Sequence, residues 1–207
     1  MSARQRTATP PTPMVVKVLL ALNVIVYVAW NTMGDSTTLL ADNFTVSSGH
    51  LASLRFWTLL TSGFSHYGFE HLLFNMYALW LFGRPVALII GSRAFAHLYV
   101  AGAIVASIGH VAYNIVSGDP TPALGASGAV MAISTVFALM FPKVRLLLFF
   151  LIPLPAIAAV ALFALIDVMG MVSGGSSIAH AAHLGGLLYG LVYYVLDIRP
   201  KLRRRRT

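Results

Sequence analysis

Six runs of almost uninterrupted apolar residues, separated by basic or proline- and glycine-rich breaks, limit this chain more than any other feature. They cover about Val15–Trp30, Glu70–Ile90, Ala94–Val116, Ala126–Phe141, Leu146–Met169 and Ile178–Leu196. Most are long enough for a helix that crosses a hydrocarbon core of about 30 Å. With 58% hydrophobic and only 10% charged residues, against roughly 25% charged in a soluble domain, the chain has too much apolar surface to hide from water. Lipid is the solvent that suits it. The expected fold is an all-α polytopic membrane protein, a bundle of six transmembrane helices.

The breaks set the organisation. Residues 1–13 are rich in Pro and Thr and are expected to form a disordered cytoplasmic N-terminus. The membrane-embedded domain is expected over 14–198, and 199–207 form a basic cytoplasmic tail. No cleavable signal peptide is evident, because the first apolar run is long and lacks a small-residue cleavage site. Asn31–Phe69 is too long for a tight turn, and its apolar patches suggest short helices lying in the interface. Ser117-Gly118-Asp119-Pro120-Thr121-Pro122 is a strong breaker, Pro142 stops the fourth span, and Pro153 and Pro155 stand near the start of the fifth. Cysteine is absent, which excludes disulfides and thiolate chemistry.

The formal charge of +8 does not point to nucleic acid, because the charges sit at the ends of apolar runs. With the N-terminus inside, thirteen of the fourteen basic residues fall on the inner side and only Arg55 lies outside. Both termini are therefore expected to be cytoplasmic, in a multi-pass protein of the cell membrane. The tail, with Lys201 and Arg203–Arg206, is expected to anchor this topology near anionic lipid.

The fourth span is short. Sixteen residues make a helix of roughly 24 Å. Its inner end is fixed by Pro142, Lys143 and Arg145, so its outer end starts below the surface and the preceding loop dips into the protein. Ser127 lies at that sunken start. Intramembrane polar groups are costly and point to function, and four fall at compatible depth. His71 and Asn75 lie i, i+4 on the second span, Ser127 stands within Gly125-Ala126-Ser127-Gly128, and His183 lies on the sixth span. A serine hydroxyl needs a base, which histidine supplies near neutral pH. His71, the Asn75 amide and backbone N–H groups around Ser127 are candidate donors to an oxyanion. Gly125 and Gly128 permit a tight backbone and close helix approach. No acid stands at the depth of His183, so the residues read as a dyad. Asp167, late in the fifth span, is expected to reach interfacial water, with a role near the substrate gate as the alternative.

These elements resemble the motifs of rhomboid intramembrane serine proteases. Gly125-Ala126-Ser127-Gly128 is similar to their GxSG, His71-Leu72-Leu73-Phe74-Asn75 to their HxxxN, and His180-Ala181-Ala182-His183-Leu184-Gly185-Gly186 to their final-helix AHxxHLGG segment. Trp57–His66 resembles part of their first loop, and the likeness runs from about Leu54 to Gly190. The resemblance implies Ser127 as nucleophile, His183 as base, and His71, Asn75 and the Ser127 backbone as oxyanion hole. It implies an endopeptidase that cleaves single-pass transmembrane proteins within or near the outer leaflet, without metal or cofactor. Two positions depart from the pattern: Trp57 is followed by Thr58, with Arg55 before it, and Met131 stands where some members carry a tyrosine packed on the histidine.

Other polar residues read more plainly. His180 is a supporting residue, His66 a loop-folding one, and His110 with Asn114 an internal polar contact. Gly186 and Gly190 form a GxxxG expected to pack the sixth span on the fourth. The fifth span, starting with two prolines and followed by the glycine-rich Ser173–Ser177, is expected to be the movable wall through which substrate enters. A metal-dependent hydrolase is disfavoured because HExxH is absent. A non-catalytic relative would be expected to lack Ser127 or His183, and a transporter would be expected to show an internal repeat.

Overall fold

The computed structural model describes residues 10–33, 37–148, 151–173 and 178–204. Asp35, most of 1–13, most of the glycine-rich run at 173–177, and Arg205 and Arg206 lie outside them.

Among the described residues, six apolar helices form the bundle: α1 (Met14–Thr32), α5 (Phe69–Ile90), α6 (Ser92–Ser117), α7 (Ser127–Met140), α8 (Ala156–Ser173) and α9 (His180–Tyr193). Between α1 and α5 lie the short helices α2 (Thr37–Phe44), α3 (Ser48–Ala52) and α4 (Thr58–Thr61), the last running into a 3₁₀ turn at Ser62–Phe64. This is the set of small helices that the mixed polarity of the segment suggests. α9 continues through one π turn (Tyr194–Ile198) into α10 (Arg199–Arg204), so the tail extends the last helix. Among the described residues, five helices are long and apolar enough to cross a membrane: α1, α5, α6, α8 and the combined His180–Arg204.

α7 is the short one, with 14 residues. Apart from the half-buried Met131 it is buried from Gly128 to Ala138, packed by α5, α6, α8 and α9. A helix that is apolar all round belongs in the middle of a bundle. There its start need not reach the surface, because protein satisfies the preceding loop. Small residues make the close packing possible. A Cβ built on Gly186 would sit 2.0 Å from the Gly128 carbonyl oxygen, and one on Gly190 would sit 2.4 Å from that of Ala132. The GxxxG therefore packs α9 on α7 backbone to backbone. α5 and α6 are joined by Gly91 alone, whose φ of +85° lies in the region that only glycine enters freely.

The fifth span departs from expectation. The helix does not start at Leu146. Arg145–Leu148 (β1) and Ile152–Pro155 (β2) pair as an antiparallel hairpin, and α8 begins only at Ala156. Proline explains this. Pro153 and Pro155 cannot continue a helix built from Leu146, but they fit a two-stranded ribbon. The Ala156 N–H donates to the Val144 carbonyl, so alternation leaves both prolines at positions that owe the ladder no donor. The helix then runs on to Ser173, four residues past the expected end.

The first loop is clamped to the bundle by polar contacts. The buried Tyr99 hydroxyl of α6 donates to the Gly63 carbonyl (3.0 Å) and accepts from the Asn23 amide of α1 (3.0 Å). Arg55 pairs with Asp42 (2.6 Å), and the Trp57 indole donates to Asn43 (3.0 Å). With Arg55 before Trp57 rather than after it, the loop is still anchored. The Thr121 carbonyl receives both His110 (3.0 Å) and Asn114 (3.3 Å), so the polar pair on α6 ties down the loop that precedes α7.

Candidate active site

The loop that leads into α7 is held from beneath by the first loop. Val46 and Ala123 form a β-bridge, and the Gly125 N–H donates to the Ser62 carbonyl (2.9 Å). The Ala126 N–H points to Nε2 of His66 (3.4 Å). His66 is wholly buried, and burial, helped by His71, pushes its pKa down to about 3. It therefore stays neutral and keeps a lone pair for that N–H. The loop-folding role read for His66 thus acts on the residue next to Ser127.

Gly125 takes φ +132°, a conformation closed to side chains, and a Cβ there would lie 2.7 Å from the His71 ring. The Cε1–Nε2 edge of the His71 imidazole thus lies close against the backbone just before the serine. The rings of His66 and His71 meet edge to face, 4.9 Å between centroids. The buried Asn75 side chain donates to the His71 carbonyl one turn back (2.9 Å), which fixes its amide. Gly128 gives α6 its close approach, since a Cβ there would meet that of Ala106 at 2.2 Å.

Ser127 opens α7, where the first N–H groups have no partner within the helix. Its Oγ lies 2.8 Å from Nε2 of His183. The structure therefore brings Ser127, His183, His71 and Gly125 together. Met131 stands one turn on, half-buried, its carbonyl accepting from the Thr135 hydroxyl (2.8 Å).

The expectation that no acid reaches His183 is wrong. Asp167 of α8 is 4% exposed, and its Oδ1 accepts from Nδ1 of His183 (2.9 Å) and from Nδ1 of His180 (2.7 Å). The residues form a chain, Ser127–His183–Asp167, with His180 as a second donor to the same oxygen. A fifth span that ends at Met169 puts Asp167 at the helix end. With α8 running to Ser173, it lies about 6 Å deeper than that. The usable signal was the cost of an acid in an apolar helix, together with Gly170 one turn later. A Cβ on Gly170 would sit 2.1 Å from His180 Nε2, so this glycine is the notch that admits the ring. The donor atoms of Asp167, His180 and His183 all lie within 4.8 Å of one another and could hold a metal ion. The rings of His180 and His183 meet edge to face, 6.5 Å between centroids.

This arrangement can be set beside known proteins. The Rhomboid domain matches residues 53–200. The chain is 32% identical over 195 residues to the human presenilin-associated rhomboid-like protein, mitochondrial, covering 93% of this chain and 48% of that protein. It is 36% identical to RHOMBOID-like protein 12, mitochondrial, of Arabidopsis thaliana (81% and 54%) and 37% identical to Rhomboid protein 1, mitochondrial, of Saccharomyces cerevisiae (72% and 44%). The chain spans about half the length of these relatives. Their names correct the expected location: all three are mitochondrial proteins, which overturns the reading of a cell-membrane protein with cytoplasmic termini. Charge asymmetry ranks two sides of a membrane but does not name the membrane. The match over most of the chain shows that it belongs to the rhomboid family, whose members are generally intramembrane serine proteases.

Proposed function

We propose that the chain is an intramembrane serine endopeptidase that cleaves transmembrane segments of other proteins, with Ser127 as nucleophile, His183 as base and Asp167 as the residue that positions the base. The observation that carries this reading is the continuous hydrogen-bonded chain from Ser127 Oγ through both nitrogens of His183 to Asp167.

The chemistry follows from the donor pattern. Asp167 accepts the Nδ1–H of His183, which leaves the Nε2 lone pair facing Ser127. As Oγ attacks the scissile carbonyl, its proton passes to Nε2, and the imidazolium is held by the carboxylate behind it. The tetrahedral oxyanion is met by the unpaired N–H groups at the start of α7, aided by His71 and Asn75. On collapse, Nε2–H protonates the leaving amine and the acyl-enzyme forms. Water then attacks the ester, giving its proton to Nε2; the C–Oγ bond breaks, Nε2–H returns the proton to Ser127 Oγ, and the acid is released. Gly125 serves by letting His71 lie close. The relatives' names favour a mitochondrial membrane as the site of action.

The test is incubation of purified protein with a generic transmembrane substrate, comparing wild type with Ser127→Ala. Cleavage by wild type alone supports the reading, and equal cleavage by both sinks it.

A further inference from the structure

One feature of the site is unused by peptide hydrolysis. Orienting His183 takes one acceptor on Asp167, yet His180 donates to the same Oδ1, at 2.7 Å against 2.9 Å for His183. A second donor on that oxygen weakens its hold on the first. Both rings are present because His180 and His183 lie three residues apart on α9 and so share a face. Gly170 and Asp167, one turn apart on α8, accommodate one ring and bind both.

The geometry points to a second use: Asp167, His180 and His183 form an inhibitory site for a divalent transition-metal ion, zinc above all. Two imidazole nitrogens and one carboxylate oxygen suit zinc or cobalt rather than magnesium or calcium. Zinc binds such donors at about 2.0–2.2 Å, which spaces tetrahedral ligands about 3.3 Å apart. The donors here lie 2.7 and 2.9 Å apart across the hydrogen bonds and nowhere more than 4.8 Å apart. Small rotations of three side chains therefore suffice, with water as fourth ligand. The site is shielded, since Asp167 is 4% and His180 7% exposed, while the half-buried His183 gives access from the serine side.

Binding and catalysis exclude each other. A metal on Nδ1 of His183 takes the lone pair that the Nδ1 proton covered, so the neutral ring carries its proton on Nε2. Both rings undergo this exchange through water, and no net proton is lost. His183 then offers Ser127 an N–H instead of a base, and its carboxylate partner is taken by the metal. The serine is left unactivated. The inhibitory effect, though not the metal site itself, rests on the reading of Ser127 as nucleophile.

The test uses the full chain in detergent after metal removal. Zinc chloride is titrated against the rate of labelling by a serine-directed fluorophosphonate, and cobalt is titrated in parallel for its visible absorption. In wild type, zinc slows labelling at least about tenfold, EDTA restores it, and cobalt gives the intense bands of a tetrahedral site. In His180→Ala the zinc concentration for half inhibition rises about 10- to 100-fold, judged against the variant's own metal-free rate, and the cobalt bands are lost. His180→Gln keeps a donor to Asp167 without the imidazole ligand and gives the same result where the alanine variant folds poorly. Zinc that slows both His180 variants as it slows wild type overturns the site, as does wild type that ignores zinc or shows no cobalt bands. Wild type that is unlabelled without metal while cobalt bands appear condemns the serine assignment and leaves the metal site standing.

Discussion

Replacing Asp167 by Asn tests the part of the site that differs most from the reading of the motifs alone. The substitution keeps size and shape. The amide oxygen still accepts from both Nδ1 atoms, 2.7 and 2.9 Å away in the native site, so the productive tautomer of His183 is preserved. What is lost is the negative charge facing an imidazolium that exists only after Ser127 has given up its proton. A hydrogen bond to a charged group contributes about 1.5–3 kcal/mol. At about 1.4 kcal/mol per factor of ten, acylation slows about 10- to 150-fold. Should the amide turn its NH₂ toward His183 instead, the wrong tautomer is stabilised and the loss rises toward the ~10⁴ known for such a change in soluble triads. The assay is the fluorophosphonate labelling rate at fixed pH, with thermal unfolding in the same detergent to show that the variant is folded. Folded Asp167→Asn labelled at the wild-type rate would refute the argument and leave a dyad of Ser127 and His183.

The remaining expectations are briefer. Ser127→Ala abolishes labelling and His183→Ala nearly does, whereas His180→Ala retains appreciable labelling and EDTA does not lower the activity of wild type; activity that survives Ser127→Ala but dies with EDTA would overturn the serine mechanism. Asn75→Ala slows turnover of a transmembrane substrate about 10²–10³-fold, the usual loss for one oxyanion donor, and an unchanged kcat would remove Asn75 from that role. Gly125→Ala forces a side chain into φ +132° and against the His71 ring, so labelling falls by more than about tenfold at little change in helix content, as labelling and circular dichroism together would show. Gly186→Ala puts a methyl 2.0 Å from the Gly128 carbonyl oxygen and parts α9 from α7 at about 1–3 kcal/mol, which a lowered midpoint of thermal unfolding would report.

Most of the bundle was legible because lipid leaves so few options. Apolar length located the helices α1, α5, α6 and α9 within a few residues, and the short run after Pro122 corresponds to the short α7, enclosed by four other helices. Ser127 and His183 stood out as polar residues in apolar helices. Two things were not legible. The hairpin at Arg145–Pro155 is as apolar as a span, and periodicity cannot tell a short apolar strand from a helix start. That error hid Asp167, because a helix assumed to end at Met169 carries its acid near water. The contact between Asp167 and two histidines also joins residues 13 and 16 positions apart, across a break whose path the sequence does not encode.

On the proposed function, α8 has two jobs that pull against each other. Its apolar outer surface and the prolines before it suit the movable wall that a membrane-embedded substrate must pass, yet it also carries Asp167. The Asp167–His183 bond is 2.9 Å long, and a hydrogen bond stretched to about 3.6 Å is no longer one. A tilt of α8 that moves its outer end by even about 1 Å away from α9 therefore disconnects the base from its carboxylate. Loosening α8 from α9 near Asp167 thus has a cost that loosening it lower down, at the half-exposed Phe163, does not. Phe163→Ala should speed cleavage of a transmembrane substrate while leaving fluorophosphonate labelling unchanged, because a small probe needs the base but not the opening. If both rates fall together, the wall and the catalytic chain move as one body, and entry lies on another side of the bundle.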